Sequence, residues 1–321
     1  PVTEIREEPP AGEDAVSELP VRRELAHSAW VSITVGCNNA CTFCIVPIVR
    51  GPEMSRRPGE VIRQVQALAA DGVVEVTLLG QNVNSYGRDL GVDGRRRPVF
   101  AELLRRVGEV PGIRRVRFTS PHPKDMREDV ARAMAETPAV CEQLHLPLQS
   151  GSPRILRAMQ RGYTPQRFLA KLRMMEAAVP GLATSTDVIV GFPGETETDF
   201  RATLAVVEEA RFDGAFMFVY SPRPGTPAAQ LEGRVDPAEA AERFTRLADL
   251  QRRFSLEKNR ALVGHLVEVL TEGPSRKDPQ VATARTRTNK VVHLPGLYPP
   301  GQFFDVVVES AAPSHLMARL A

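Results

Sequence analysis

The chain has 321 residues, of which 42% are hydrophobic and 25% are charged, and its formal net charge is +2. This composition predicts a soluble protein with one large and one small domain. It excludes a membrane span, because no apolar run approaches the roughly 20 residues that cross a bilayer. The four cysteines are too few for a disulfide scaffold in a chain of this size, which predicts a reducing, cytoplasmic location.

The first residues differ from the rest in composition. Residues 1–20 carry six acidic residues against one basic residue, are rich in proline and alanine, and show no hydrophobic periodicity. Such a segment buries too little apolar surface to offset the conformational entropy lost on folding. The sequence therefore predicts a disordered linker over residues 1–21.

Apolar runs and helical patterns alternate along the next part of the chain. The predicted strands are Trp30–Val35, Val73–Leu79, Val116–Thr119, Leu144–Leu148, Asp187–Phe192 and Ala215–Tyr220. The predicted helices between them are Glu60–Ala70, Phe100–Val110, Asp125–Glu136, Pro165–Ala178 and Glu195–Ala210. This alternation is typical of an α/β fold with a parallel sheet, and six strands are fewer than the eight of a full barrel. We therefore predict a partial (βα)6 barrel over residues 22–255, with its active site at the carboxyl ends of the strands.

The last part of the chain has a different pattern. From about Asp236 to Leu262 the sequence predicts one long charged helix, and short strands separated by Gly and Pro follow it. Those strands are Leu266–Leu270, Val281–Arg285, Lys290–Leu294 and Phe303–Glu309. They predict a small all-β barrel over residues 256–321. Residues 251–300 carry nine Lys or Arg against four Asp or Glu, which indicates either a solvated helix face or a surface that contacts phosphates.

Three cysteines, Cys37, Cys41 and Cys44, lie within the run GCNNACTFC that follows the first predicted strand. A structural zinc site uses four ligands, and ferredoxin-type clusters use four cysteines at other spacings. The C-x3-C-x2-C spacing therefore favours a [4Fe–4S] cluster with one open iron, with a zinc knuckle or a disulfide pair as the alternatives. The fourth cysteine, Cys141, lies beside an apolar strand, and free cysteine is among the most buried residue types, so we place it in the core.

The cysteine run, with Phe43 in the aromatic position before the last cysteine, resembles the signature of the radical S-adenosylmethionine (SAM) enzymes. The resemblance implies that Cys37, Cys41 and Cys44 ligate a [4Fe–4S] cluster whose open iron chelates the methionine part of SAM. It also implies that an electron, supplied by a donor such as flavodoxin or ferredoxin, cleaves SAM to a 5′-deoxyadenosyl radical.

Further runs at the ends of the predicted strands narrow the resemblance. They are CIVPIVRGPE from Cys44, LLGQNVNSYG from Leu78, HLPLQSGS from His145, DVIVGFPGET from Asp187 and YSPRPGT from Tyr220. In this order they resemble the methylthiotransferases, and GQNVNSYG resembles the MiaB branch of that family, which acts on tRNA. The resemblance extends from about Arg22 to the end of the chain.

Five polar residues near the strand ends are candidates for binding SAM. Gln81 and Asn82 follow the second strand, Gln149 and Ser150 follow the fourth, and Asp187 lies within the fifth. The amides and the hydroxyl could instead form turns or cap helices. Because barrel enzymes place their chemistry at this rim, we predict that all five contact SAM. An unpaired buried carboxylate is unfavourable, so Asp187 should face a cation, a ligand or a hydrogen-bond donor.

The C-terminal stretch resembles the TRAM domain of that family, a small β-barrel that binds RNA. Arg285, Arg287 and Lys290 lie in its run ARTRTNKVVH. We predict that Arg285 and Arg287 share a strand and, being two residues apart, point to the same face, with Lys290 close by. The resemblance then implies that these three residues contact phosphates of a tRNA anticodon stem-loop.

The resemblance implies radical transfer of a 2-methylthio group to N6-isopentenyladenosine at position 37 of tRNA, next to the anticodon. The family holds a second [4Fe–4S] cluster on three cysteines of an N-terminal domain, whereas the 36 residues before Cys37 contain no cysteine. We expect that cluster, and sulfur insertion, only in the full-length protein. Two alternatives are methylthiolation of the threonylcarbamoyl form of adenosine, and an RNA-binding protein whose cluster is only structural.

Overall fold

The computed structural model of the chain describes residues 25–91 and 97–321. The linker predicted over residues 1–21 lies outside them. Within the described ranges, no helix combines the length and the apolar character that a membrane span requires. These residues form an α/β part followed by a small β-barrel.

In the described residues, eight strands belong to the α/β part. They are β1 (Ser28–Ser32), β2 (Thr34–Val35), β3 (Met54–Ser55), β4 (Glu75–Leu79), β5 (Arg115–Phe118), β6 (Gln143–His145), β7 (Ala183–Val190) and β8 (Gly214–Val219). Strands β2 and β3 form a short antiparallel pair, whereas β1, β4 and β5 pair in parallel, as do β6, β7 and β8. A parallel bridge between Val116 and Val140 joins the two sets. The six parallel strands thus form a partial barrel with β1 and β8 at the edges of the described sheet, which confirms the predicted fold class.

Helices connect the strands and cover the outer face of the barrel. They are α1 (Val46–Arg50), α2 (Pro58–Ala70), α3 (Phe100–Gly108), α4 (Glu128–Glu136), α5 (Pro153–Ala158), α6 (Pro165–Ala178), α7 (Glu197–Ala210) and α8 (Pro237–Arg260). Helix α6 has the predicted bounds, because Thr164 caps its first turn by accepting a hydrogen bond from the Arg167 amide. Helices α1 and α5 were not predicted, since five or six residues are too few to show a helical period.

Alternate residues along each strand face opposite sides of the curved sheet. Val31, Leu78 and Val188 point outward into the core beneath the helices. The residues between them face the inside of the partial barrel, which we call the lumen. On this face Thr77 lies opposite Trp30 and Arg117 on the neighbouring strands, and Asp187 lies opposite Phe216. The outer face is therefore aliphatic, whereas the lumen is lined by polar and aromatic side chains.

The C-terminal strands close into a five-stranded barrel in the order β10-β11-β13-β12-β9. They are β9 (Leu266–Pro274), β10 (Val281–Thr286), β11 (Val291–Pro295), β12 (Phe303–Ala311) and β13 (Leu316–Leu320). Apolar residues that include Val269, Val292 and Val306 fill its centre. The predicted all-β fold of this part is thereby confirmed. Strand β13, absent from the predicted strands, completes the barrel by pairing in parallel with β11.

The turn after β10 lies against the amino ends of the parallel strands, at a contact that we call the junction. Arg115 and Arg117 of β5 are buried there, with 0% and 6% of their surface exposed. Arg115 donates to the Arg285 carbonyl, and Arg117 donates to the Thr286 and Arg287 carbonyls, each at 2.8 Å. Buried backbone carbonyls need donors, and the two guanidinium groups supply them. The C-terminal barrel is thereby fixed at the end of the lumen opposite the carboxyl ends of the strands.

Helix α8 packs on both barrels. The Gln251 side chain donates to the Phe212 carbonyl at 2.8 Å, and the Asn259 side chain donates to the Ala312 carbonyl at 2.8 Å. The predicted domain boundary between residues 255 and 256 falls inside this helix, because its charge pattern does not show which elements it contacts. We propose that the boundary lies at the end of α8.

Candidate functional site

The three cysteines lie in the loop between β2 and α1, at the carboxyl end of the first parallel strand. Gly36 begins this loop with a φ of +73°, and a Cβ atom there would lie 2.0 Å from the Pro52 carbonyl oxygen. Glycine tolerates both the left-handed backbone and that close approach. The Cys37 amide donates to the Gly51 carbonyl at 3.2 Å. One end of the loop is therefore held against the residues that follow α1.

The other end of the loop is held by the segment around α5. The Thr42 amide donates to the Met159 carbonyl at 3.1 Å, and the Thr42 hydroxyl donates to the Ala158 carbonyl at 2.9 Å. Phe43, the aromatic residue of the cysteine run, packs against a buried cluster that contains Met159 and Phe192. Phe43 thus anchors the cysteine loop to the second half of the barrel.

The three thiol groups differ in exposure and in partners. Cys41 is buried, whereas Cys37 and Cys44 are half-buried. Burial raises the pKa of the Cys37 and Cys44 thiols above the ordinary value. The Asn39 amide donates to the Cys37 sulfur at 3.4 Å, and the Arg161 guanidinium donates to the Cys41 sulfur at 3.1 Å. Binding to a metal centre requires all three groups as thiolates.

The donor set fits an iron–sulfur cluster better than a single metal ion. The loop offers three thiols, whereas a structural zinc site requires four ligands. A cubane cluster binds each thiolate through a different iron and can leave one iron without a protein ligand. The fourth cysteine, Cys141, is 2% exposed and lies in the core, as predicted.

Gln81 and Asn82 lie in the turn after β4. A Cβ atom on Gly80 would lie 2.1 Å from the Thr34 hydroxyl, so this turn passes close to β2. The half-buried Gln81 side chain makes no hydrogen bond within the described part of the chain. Asn82 is 2% exposed, and its side-chain nitrogen donates to the Asp125 carboxylate at 2.8 Å. The side-chain oxygen of Asn82 is buried and has no partner among the described residues. The side-chain amide of Gln81 is thus available to a ligand, whereas in Asn82 only the side-chain oxygen lacks a partner.

A polar network that the sequence did not indicate joins the cysteine loop to the ends of β4 and β5. The Ser85 hydroxyl donates to the Glu53 carboxylate at 2.6 Å, and the Glu53 amide donates to the Asn38 side-chain oxygen at 3.1 Å. Lys124 donates to the Asn39 side chain. Burial raises the pKa of Glu53, and the Ser85 hydrogen bond opposes that rise. Glu53 ends the run CIVPIVRGPE, but neither it nor Lys124 was singled out, because charged residues are common in such turns.

Gln149 and Ser150 lie in the turn after β6. The Gln149 amide donates to the Asp187 carbonyl at 2.7 Å, so its backbone continues the pairing with β7. Ser150 is fully buried; its hydroxyl lies 3.3 Å from the Thr203 hydroxyl and accepts a hydrogen bond from the Ser152 amide at 3.1 Å. The Ser150 hydroxyl therefore joins this turn to α7. Contacts of Gln149 and Ser150 with SAM stay predictions.

Asp187 faces the lumen from β7. Its carboxylate lies 3.3 Å from Nε2 of His145, and Nδ1 of His145 lies 3.0 Å from the Ser185 hydroxyl. The His145 ring packs edge-on against Phe216, with ring centroids 5.7 Å apart. The side chain that faces Asp187 is therefore His145, and a contact between Asp187 and SAM stays a prediction.

Arg287, one of the predicted RNA contacts, lies at the junction. Strand β10 ends at Thr286, so Arg287 belongs to the following turn, and the prediction that it shares a strand with Arg285 is wrong. Its guanidinium pairs with Glu142 at 2.7 Å and donates to the Val140 carbonyl at 2.9 Å. The Arg287 side chain therefore binds the partial barrel instead of projecting into solvent.

The other two predicted RNA contacts are paired as well. Arg285 pairs with Glu272 at 2.7 Å, and Lys290 pairs with Asp213 at 2.7 Å with only 12% of its side chain exposed. A phosphate would have to compete with these carboxylates, although Asp213 is shared with Lys258, which pairs with it at 2.9 Å. Direct phosphate contact by Arg285, Arg287 and Lys290 stays a prediction that these ion pairs oppose.

Known proteins resemble this chain along most of its length. A family model described as the radical SAM superfamily matches residues 31–207. Curated proteins named tRNA-2-methylthio-N(6)-dimethylallyladenosine synthase, from Parafrankia sp. (strain EAN1pec), Saccharopolyspora erythraea and Mycobacterium leprae, are 56%, 53% and 53% identical over 94% of this chain. The chain spans 63%, 62% and 60% of their respective lengths.

Solved structures share the fold of the α/β part. The radical SAM methyltransferase TsrM from Kitasatospora setae aligns with a TM-score of 0.51 and 19% identity, over 63% of this chain and 38% of that chain. Coproporphyrinogen III oxidase (HemN) from Escherichia coli aligns with a TM-score of 0.51 and 18% identity, over 75% of this chain and 55% of that chain. At identities this low, the likeness concerns the fold alone.

Proposed function

Because this chain belongs to the radical SAM superfamily, we propose that it performs the radical and RNA-binding steps of adding a 2-methylthio group to N6-isopentenyladenosine at position 37 of tRNA. The reaction class rests on the three-cysteine loop, which the barrel holds from both sides at the carboxyl end of the first parallel strand. The substrate rests on identities of 56% and 53% to synthases named for this modification.

Membership of this superfamily implies an iron–sulfur cluster and SAM. Cys37, Cys41 and Cys44 would hold the cluster, which when bound supplies the electron that cleaves SAM. Gln81, whose amide has no protein partner among the described residues, would bind polar groups of SAM at the rim of the barrel. Asn82 would hold the same turn in place through its hydrogen bond to Asp125.

Sulfur insertion would need a second [4Fe–4S] cluster. Apart from the three cysteines of the loop, the sequence has only Cys141, which is buried in the core. We therefore propose that residues outside this sequence hold the second cluster. Cys37 and Cys44 are half-buried, so the first cluster would lie near the surface, where a donor such as flavodoxin or ferredoxin can transfer an electron.

The side chains that line the lumen favour a substrate that is an adenine base with an apolar substituent. Trp30 on the edge strand β1 is 63% exposed, and Phe216 and Phe218 on the edge strand β8 are 62% and 52% exposed. All three side chains lie on the lumen face of the sheet. Exposed aromatic side chains on a concave face indicate a ligand, and bases that leave their stack pack on such rings. The His145–Asp187 pair places hydrogen-bonding groups beside Phe216.

Replacing both Phe216 and Phe218 by Ala in the full-length gene product should reduce 2-methylthio-N6-isopentenyladenosine in tRNA at least about tenfold, because a base–aromatic stack contributes about 1–3 kcal/mol. Its precursor, N6-isopentenyladenosine, should accumulate. Mass spectrometry of tRNA hydrolysates from gene-deletion cells carrying each variant measures both nucleosides. Val219→Ala is the matched control, since Val219 is exposed on the same strand but on the opposite face.

Each other outcome of this experiment has a distinct meaning. Loss of the methylthiolated threonylcarbamoyl form from the deletion cells would favour the alternative adenosine. Unchanged tRNA in those cells would favour an RNA-binding protein with a structural cluster. Normal 2-methylthio content in the double variant would show that the aromatic side chains of the lumen do not bind the base.

We propose that the C-terminal barrel contacts the tRNA anticodon stem-loop through the turn between β9 and β10. Arg276 and Lys277 in this turn are exposed and form no ion pair among the described residues. Exposed cations can contact phosphates without displacing a carboxylate. These two residues replace Arg285, Arg287 and Lys290 as the proposed contacts.

Replacing Gln81 by Ala should weaken SAM binding about tenfold or more while the iron content is unchanged, because a hydrogen bond to a charged group contributes about 1.5–3 kcal/mol. Asn82→Ala should instead lower the free energy of unfolding by about 1–3 kcal/mol, since Asp125 loses a buried donor. Anaerobic equilibrium dialysis and thermal unfolding measure the two effects. Gln280→Ala, which removes an exposed amide of the C-terminal part, is the control. Unaltered SAM affinity of Gln81→Ala would show that Gln81 only forms the turn.

A further inference from the structure

Arg161 is a buried cation whose guanidinium group points at Cys41 of the cysteine loop. It lies between α5 and α6 and is 6% exposed. Its Nη1 donates to the Cys41 sulfur at 3.1 Å, and its Nε donates to the Tyr163 hydroxyl at 3.0 Å. Among the described residues it forms no ion pair with a carboxylate. Because burying a cation without an anionic partner is unfavourable, the position of Arg161 indicates that an anion belongs beside it.

Tyr163 fixes the direction of this guanidinium. The buried Tyr163 hydroxyl accepts a hydrogen bond from Arg161 and donates to the carbonyls of Pro147 and Leu148, at 2.9 and 3.0 Å. His122 packs edge-on against Tyr163, with ring centroids 5.7 Å apart. Burial, together with the nearby cation Arg161, lowers the pKa of His122 to about 2, so the imidazole is neutral. On this side of the loop, the positive charge next to Cys41 is therefore that of Arg161.

The other two cysteines have weaker partners among the described residues. The Cys37 sulfur accepts a hydrogen bond from the neutral Asn39 amide at 3.4 Å. The Cys44 sulfur accepts one from the backbone amide of Val46. Cys41 is thus distinguished from both by a short hydrogen bond from a charged group, and such bonds are about twice as strong as neutral ones.

We propose that Arg161 is a positioning residue that donates a hydrogen bond to the Cys41 sulfur of the bound iron–sulfur cluster and makes that cluster easier to reduce. The proposal rests on the proposed function, because it requires Cys41 to be a cluster ligand. Reduction adds negative charge to the cluster, and a hydrogen-bonded cation at a ligand sulfur stabilises the reduced form more than the oxidised form. Burial of Arg161 strengthens this effect, since the surroundings screen the charge less than water does.

Three substitutions separate the charge of Arg161 from its geometry. Arg161→Gln removes the charge and keeps a hydrogen-bonding group. Arg161→Lys keeps the charge but loses the fork that reaches Cys41 and Tyr163 together. Tyr163→Phe keeps the guanidinium and removes the hydroxyl that orients it. Arg157→Gln is the matched control, because Arg157 is an exposed arginine of the neighbouring α5.

The test is a redox titration of the anaerobically reconstituted protein, followed by electron paramagnetic resonance in the absence of SAM. Arg161→Gln should make the reduction equilibrium at least about tenfold less favourable, which equals a fall of about 59 mV in the midpoint potential of a one-electron couple. Arg161→Lys and Tyr163→Phe should shift the midpoint in the same direction by smaller amounts. Arg157→Gln should leave it unchanged.

Midpoint potentials equal to that of the wild type in Arg161→Gln and Arg161→Lys, at full iron content, would overturn the proposal. Weaker SAM binding with an unchanged midpoint would also overturn it and would make Arg161 a SAM ligand. If Arg161→Gln does not retain iron, the same titration of Arg161→Lys and Tyr163→Phe decides the question. A wild-type protein with no [4Fe–4S] signal would refute the proposed function itself, so the two failures are distinguishable.

Discussion

Replacement of any one of Cys37, Cys41 and Cys44 by Ala is expected to abolish the iron–sulfur cluster. A cubane on three protein thiolates has no spare ligand, and the remaining cysteine, Cys141, is buried in the core. After anaerobic reconstitution the wild-type chain should bind about four irons, and each variant should bind close to none, as a single [4Fe–4S] cluster requires. Iron analysis and the visible absorption of the cluster measure the effect.

Cys141→Ser is the matched control, since it removes a thiol without changing the loop, and it should retain the iron. A cluster retained in all three loop variants would refute the assignment, and bound zinc in place of iron would indicate a knuckle. The pH dependence offers a second check. Because burial raises the pKa of the Cys37 and Cys44 thiols and iron binds the thiolates, cluster loading should improve as the pH rises.

Replacing Arg243 by Ala is expected to lower the free energy of unfolding by about 3–5 kcal/mol, the cost of leaving a buried charge unpaired. The side chains of Arg243 on α8 and Glu195 before α7 are each 1% exposed, and they pair at 2.9 Å. The Glu195 carboxylate also accepts a hydrogen bond from the Gly191 amide at 2.7 Å. Burial raises the pKa of Glu195 and Arg243 opposes that rise, so removing Arg243 should raise the pKa further.

The same helix provides the matched control for Arg243. Arg246 pairs with Glu197 at 3.0 Å, but these side chains are 36% and 39% exposed. Arg246→Ala is therefore expected to change the free energy of unfolding by less than about 1 kcal/mol. Urea denaturation of the two variants gives the comparison, and equal losses would show that burial does not decide the effect. Combining Arg243→Met with Glu195→Gln should recover most of the loss, because neither charge is then left unpaired.

The run that contains Glu195 shows why a sequence pattern alone leaves the role of a residue open. DVIVGFPGET is part of the resemblance to a family of enzymes, which directs attention to substrate or cofactor binding. In the structure, however, the Glu195 carboxylate is enclosed and joins the end of β7 to α8 through Arg243. Glu195 therefore contributes to stability at the rim of the barrel. Its partner, Arg243, lies 48 residues further along the chain.

The sequence by itself determined the features whose signals lie within one element. Helix α6 has its predicted bounds because the capping Thr164, the proline after it and the apolar period all lie within a few residues. The cysteine loop was identified for the same reason, since Gly36, the three cysteines and Phe43 are contiguous. The all-β character of the C-terminal part followed from short strands separated by turn residues, whereas its closure requires β13, which was not predicted.

Only the tertiary structure decided which polar side chains are available to a ligand. Arg287 and Lys290 look like exposed cations in the sequence, but their carboxylate partners lie 145 and 77 residues away along the chain. Arg161 likewise reaches the Cys41 sulfur across 120 residues. No local pattern contains such pairs, because spacing fixes only the direction of a side chain on its own strand or helix. Which group meets it is fixed by the packing of distant elements, and that packing decides whether a charge binds RNA, tunes a cluster or holds two barrels together.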